Sequence, residues 1–259
     1  RCFESEDVHH VEGRVSPVAD IETINIELLL ADLDSVERAI ERQTRRAKAV
    51  DKAAIAARDA LKHIEAALNE GVPIRAQSLD ETALDAIAEL HLLTAKPVLY
   101  VANVAEDGFS DNTLLDSVKA LADKEGAPVV PLSAAIEAEL AQLEPEEQVE
   151  LLEVYGLSEP GLNRLIRSGY GLLHLLTFFT AGPKEVRAWT VEEGATAPQA
   201  AGRIHTDFER GFIRAEVISF DDYISAGSEQ AVKEAGRMRL EGKDYLMQEG
   251  DICHFRFNV

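Results

Sequence analysis

Apolar residues recur along the chain in two rhythms, one helical and one of short unbroken runs. Ile26, Leu29, Leu33, Val36 and Ile40 follow 3-4-3-4 spacing, and Ala54, Ala57, Leu61, Ile64 and Leu68 repeat it. Both stretches predict helices with the narrow apolar seam of a coiled coil. Pro73 ends the second. Between the two seams Arg42, Arg45, Arg46, Lys48 and Lys52 outweigh the acid Asp51, which predicts a helical hairpin with a basic tip. Ser78-Leu79-Asp80-Glu81 is a capping-box pattern before Leu84, Ile87 and Leu90, and predicts a third helix that stops before Lys96-Pro97.

The rhythm then changes. Val98-Leu99-Tyr100-Val101-Ala102 reads as a buried strand, Leu114 to Lys124 as a helix and Val129 to Leu132 as a second strand. Strand, helix, strand implies a parallel α/β unit, with Arg1-Cys2-Phe3 as the end of a preceding strand. Pro160-Gly161 opens an amphipathic helix carrying Leu162, Leu165, Ile166 and Leu173, and the acidic stretch Glu144 to Glu153 reads as an exposed helix. From Phe178 on, short strand candidates fall at Val186 to Trp189, Phe212 to Phe220, Tyr245 to Met247 and Ile252 to Phe257, with a helix over Pro198 to Phe208. Gly250-Asp251 supplies the turn before the last strand, so this segment predicts a separate α+β module.

Charge sharpens the division. Residues 1–177 hold 33 acidic and 16 basic side chains, and residues 178–259 hold 14 and 10, which puts a boundary near Thr177. The total of −21 over 259 residues excludes a wholesale basic nucleic-acid binder, and no DNA partner is expected. A 46% hydrophobic composition excludes global disorder. The longest apolar stretch, Leu172 to Phe179, is interrupted by His174 and falls short of the roughly 18 residues of a bilayer span, so no membrane is expected. Cys2 and Cys253 form neither a disulfide framework nor a zinc-ligand spacing, which predicts a reducing, cytoplasmic compartment. The first residue is Arg1, with no targeting segment after it, and the chain reads as one whose start is missing.

Asn103-x-x-Glu106 and Ser133-Ala134-Ala135 both fall at the carboxyl ends of predicted parallel strands, where open α/β sheets bind ligands. An Asn amide donates and accepts on a purine edge, and the backbone amides of the Ser-Ala-Ala turn with apolar contact from Val104 would complete a base pocket. Either motif alone is better explained as an ordinary loop start, and their pairing carries the inference. The 259 residues contain no G-x-x-x-x-G-K-[ST] phosphate loop, since Gly242-Lys243 is followed by Asp244.

Several blocks, in order, resemble the YchF or Obg-like ATPases. They include Arg1-Cys2-Phe3-Glu4, Asn103-Val104-Ala105-Glu106-Asp107-Gly108-Phe109, Glu159-Pro160-Gly161-Leu162-Asn163-Arg164, Lys184-Glu185-Val186-Arg187-Ala188-Trp189-Thr190 and Phe255-Arg256-Phe257-Asn258-Val259. The resemblance implies an α/β P-loop NTPase-type parallel sheet over 1–19 and 91–177, a coiled-coil hairpin inserted over 20–90, and a C-terminal α+β ubiquitin-like TGS domain over 178–259. It implies ATP and Mg2+ as cofactors, with the phosphate loop and magnesium ligand upstream. Glu106 stands where GTP-specific relatives carry Asp and implies ATP preference, with Ser133, Ala134 and Ala135 as the second base-side loop. His10, in the polar loop shared with His9, matches the loop proposed to orient the attacking water. The implied partner is the ribosome or its RNA, with Arg42, Arg45, Arg46, Lys48 and Lys52 as a contact. A non-catalytic ribosome- or RNA-binding module is the alternative if the chain is the complete molecule.

Overall fold

The computed structural model describes residues 1–5, 8, 13–47, 51–182 and 185–258. The chain divides into two compact units, Arg1–Ser168 and Gly169–Val259.

In the first unit the long helix α1 (Pro17–Ala47) packs against α2 (Lys52–Asn69) and the short α3 (Glu81–Ile87). Their shared core contains Val36, Leu61, Ile64, Leu68 and Ile87, with Leu29, Leu33 and Ile40 partly buried against it. Ile26, the first residue of the expected seam, is exposed. The neighbouring Ile21 instead packs against the cluster around the sheet, so the start of α1 serves a different core from the rest. Asp51 caps α2 by accepting from the Ala53 and Ala54 amides, and Asp80 caps α3 by accepting from Ala83. Asp32, buried at 2% exposure, accepts from the backbone amides of Leu93 and Thr94, both at 2.7 Å. That contact fastens α1 to the segment leading into the sheet.

Strands β1 (Tyr100–Asn103) and β2 (Val129–Leu132) run parallel in the register Asn103 to Leu132, joined by α4 (Thr113–Glu125). Cys2 pairs in parallel with Val104, its amide donating to the Asn103 carbonyl at 2.7 Å, so the expected preceding strand end lies beside β1. Asn112 caps α4 and also donates to the carbonyls of Cys2 and Gly108, which fixes the loop after β1. Three helices follow: α5 (Ala134–Leu140), α6 (Pro145–Val154) and α7 (Gly161–Leu172). The arrangement is an α/β fold with a parallel sheet and many helices.

The second unit is a five-stranded mixed sheet ordered β4-β3-β7-β5-β6, comprising β3 (Leu175–Ala181), β4 (Val186–Glu192), β5 (Phe212–Ser219), β6 (Arg239–Glu241) and β7 (Asp251–Phe257). Helices α8 (Ala197–Ile204), α9 (Thr206–Arg210), α10 (Phe220–Ala226) and α11 (Glu229–Glu234) complete it. The small residues Ala197, Ala200 and Ala201 bring α8 close to a core of Phe178, Val191, Phe212, Val217 and Phe255. Phe178 and Phe255 meet edge to face at 5.9 Å.

His174, with φ 50, turns the chain between α7 and β3. The compact units divide at Ser168/Gly169, ahead of the charge shift near Thr177. Two expected elements differ from those observed. The helix expected over Pro198 to Phe208 breaks at His205, whose φ −161 and ψ 141 are extended and whose Nδ1 accepts from the Asp207 amide to start α9. The strand expected at Tyr245 to Met247 is only an isolated pair, Thr196 with Leu246. The Asp251 carboxylate draws Tyr245 Oη and the Gln248 amide into a turn instead, and Gly250 completes it at φ 79.

Candidate functional site

Parallel pairing places the ends of β1 and β2 side by side, and a cavity of about 720 Å³ opens there. Its walls include Asn103, Val104, Glu106, Ser133, Ala134 and Ala135, so the structure brings every residue expected of the base pocket to one place. The volume lies within the ~300–1,000 Å³ of ordinary ligand pockets.

The chemistry of each wall differs. Asn103 Oδ1 accepts from the Ala134 amide at 3.0 Å, so the side chain clamps the two strand-end loops together. With Oδ1 engaged, the donors of Nδ2 are what Asn103 offers a ligand. Ala134 correspondingly has its amide committed to Asn103 rather than to a base. Val104, at 2% exposure, sits in the cluster with Cys2, Ala102, Leu115 and Val118 and contributes to the cavity floor. Ser133 is 1% exposed, and its Oγ has no hydrogen-bond partner. A buried hydroxyl without a partner costs about 1–3 kcal/mol, which a ligand atom in the cavity would offset. Glu106 and Asp107 are exposed at the rim. Two carboxylates repel polyphosphate, so this end of a nucleotide site suits the neutral base.

Phe3 and Tyr155 also line the cavity, although neither was expected as a site residue. Phe3 comes from the strand end beside β1, and Tyr155 from the C-cap of α6. Tyr155 packs on the cluster of Ile136, Leu140 and Leu152. Its phenol is pushed above its usual range, first by desolvation and then by the carboxylates of Glu106 and Glu139. An aromatic residue closing an acidic, mostly exposed helix was the available clue.

His9 and His10 lie outside the described residues, as does Lys48. Arg42, Arg45 and Arg46 are exposed on the last turns of α1, and Lys52 is exposed at the start of α2. Arg45 pairs with Glu41 and Arg46 with Asp51, each at 3.4 Å. Among the described residues no group of three or more His, Cys, Asp and Glu is arranged to hold a metal, and no residue is assigned to magnesium. No helix among them is long and apolar enough to cross a membrane.

Proteins of known family share this chain's sequence throughout. "Ribosome-binding ATPase YchF" of Haemophilus influenzae is 58% identical over 259 residues, covering 100% of this chain and 71% of the relative. The chain belongs to the YchF family. The proteins of the same name from Escherichia coli O157:H7 and Bacillus subtilis are 55% and 47% identical, covering 71% and 72% of those relatives and 100% of this chain. A family model, YchF-GTPase_C, described as a protein of unknown function (DUF933), matches residues 175–258, the span of the second unit's sheet. The solved structure of the Schizosaccharomyces pombe YchF GTPase superposes with a TM-score of 0.83 at 34% identity, covering 98% of this chain and 70% of that one. A GTP binding protein from Pyrococcus horikoshii OT3 shares the fold, with a TM-score of 0.57 at 22% identity over 94% of this chain and 72% of that one. The YchF relatives are thus named for two nucleotides, and the base cavity is the part of this chain that bears on the choice.

Proposed function

We propose that the protein is a ribosome-associated, ATP-hydrolysing P-loop NTPase of the YchF type, in which the cavity between the β1 and β2 ends receives the adenine base. The observation that carries this reading is the unpartnered Ser133 Oγ, buried in a cavity it shares with Asn103 and Glu106. Asn103 Nδ2 donates to a purine ring nitrogen, Ser133 Oγ gains its missing partner, and the backbone of Ala135 and the floor at Val104 complete the fit. Glu106 replaces the aspartate that would select guanine. Mg2+ accompanies the phosphates, and no residue described here is given to it. His10 is proposed to orient the attacking water.

The relatives' names support the ribosome as partner. In this proposal the α1–α2 hairpin is an inserted arm whose tip, Arg42, Arg45, Arg46, Lys48 and Lys52, meets ribosomal RNA phosphate, and the second unit is a ubiquitin-like TGS module. The protein works in the cytoplasm. Nucleotide hydrolysis measured with ATP and GTP, alone and with ribosomes, tests the reading. Turnover that prefers ATP and falls in His10→Ala supports it. Ribosome binding that ignores ATP, with no turnover, favours a binding module instead, and salt-insensitive binding removes the basic tip as the contact.

A further inference from the structure

We propose that Asn112 is a positioning residue of the base cavity, tying the turn that carries Glu106 to the strand end that carries Phe3. The inference rests on the base-site reading above. Asn112 is not one of the cavity walls but the N-cap of α4, and its side chain makes four hydrogen bonds. Oδ1 accepts from the Leu114 and Leu115 amides, both at 3.1 Å, and Nδ2 donates to the Cys2 and Gly108 carbonyls, both at 2.9 Å. These partners fix the orientation of the amide, because a flip would set its oxygen against two carbonyls and its NH2 group against two N–H donors.

Both carbonyls belong to segments that wall the cavity. Gly108 closes a turn by donating from its amide to the Ala105 carbonyl at 3.0 Å, and the two central residues of that turn, Glu106 and Asp107, line the cavity. Cys2 directly precedes Phe3, another wall. The turn sits tightly on the amide, since a Cβ at Gly108 would stand 3.2 Å from Asn112 Nδ2 and 3.1 Å from the Ala105 nitrogen. Capping a helix needs only an acceptor, and Ser, Thr or Asp supplies one as readily as Asn. The two donors are what Asn adds, and here one of them reaches a carbonyl 110 positions away in the chain. The acceptor thus serves the helix and the donors serve the cavity: neither wall segment moves without losing a bond to the same nitrogen.

Steady-state ATP hydrolysis by the intact protein, in wild type, Asn112→Ser, Asn112→Asp and Asn103→Ala, tests this. Serine and aspartate both keep an acceptor for the cap, but serine is too short to reach the two carbonyls and an ionised aspartate has no donor. Thermal melts are expected to show both variants folded. Both are expected to raise KM for ATP about tenfold, the scale of one hydrogen bond displaced at the base. The change in kcat should be much smaller, because contacts to the base are made alike in the ground and transition states. A wild-type KM in Asn112→Ser overturns the proposal, as does a rise confined to Asn112→Asp, which would come from the added charge. A kcat that falls together with the melting temperature at unchanged KM also overturns it, leaving Asn112 a helix cap alone. Wild type without turnover, or Asn103→Ala with a wild-type KM, overturns the base-site reading itself.

Discussion

The Asn103 Oδ1 accepts from the Ala134 amide at 3.0 Å, so the last side chain of one strand is held by the first helical residue after its neighbour. One bond does two things: it closes the gap between the loops and leaves only donors facing a base. Asn103→Asp keeps the acceptor and loses the donors, whereas Asn103→Ala loses both. Both variants are expected to weaken ATP binding about tenfold, the scale of one hydrogen bond in a buried site. Calorimetric titration checks this, and wild-type affinity in Asn103→Asp would remove Nδ2 from the site.

Asp32 is the buried fastener of the hairpin, with two amides donating to one carboxylate. Asp32→Ala leaves the Leu93 and Thr94 amides without that acceptor and is expected to cost about 2–3 kcal/mol. Asp32→Asn keeps one acceptor and should cost less. The urea midpoints of the two variants, at unchanged slope, read the difference.

Gly161, the first residue of α7, packs against Leu132 at the end of β2 and Glu137 of α5. A Cβ there would stand 2.7 Å from Leu132 Cβ and 2.9 Å from Glu137 Oε1, the oxygen that accepts from the Gly161 amide. Gly161→Ala is expected to destabilise by about 1–3 kcal/mol and to weaken nucleotide binding, because Leu132 directly precedes Ser133. Stability lost with nucleotide affinity intact would show that the displacement stops short of the Ser133 loop.

Glu216 and Arg256 pair in bidentate fashion across β5 and β7, both bonds at 3.1 Å. The Arg256 hydrogen bonds hold the Glu216 carboxyl below its ordinary value of 4.5. A folded-state value below the unfolded one gives stability that is present above the unfolded value and lost as pH falls through the folded one. Glu216→Gln is therefore expected to lower the melting temperature by a few degrees at neutral pH, a small effect because Arg256 is half exposed. The gap between variant and wild type should close as acidification carries the pH below the lowered value of the Glu216 carboxyl, and a gap that persists once the carboxyl is protonated would assign the loss to packing.

Local periodicity made much of the fold legible. Of the seam expected from Ile26 to Ile40, Val36 is buried and Leu29, Leu33 and Ile40 are partly buried, while Ile26 is exposed. In the seam from Ala54 to Leu68, Ala54, Leu61, Ile64 and Leu68 are buried, and the strand, helix, strand order at residues 100–132 is parallel as a crossover helix requires. The pairing of Asn103 with Ser133 was legible for the same reason, since strand ends announce themselves in the sequence and neighbouring parallel strands share an edge. Periodicity misled over Pro198 to Phe208, where the helix breaks at the extended His205, because burial alone does not say where a backbone turns.

By itself the sequence determined the family, the helical pair, the parallel unit and the residues at the two strand ends, all of which follow from short-range spacing and from motifs. Tertiary structure alone decided that Ser133 Oγ is buried without a partner, that Asn103 uses its oxygen on Ala134, that Asp32 caps a distant segment and that Tyr155 lines the cavity. The physical reason is distance along the chain. A residue's periodicity records how deeply its own element buries it, whereas hydrogen-bond partners and cavity walls come from segments that only packing brings together.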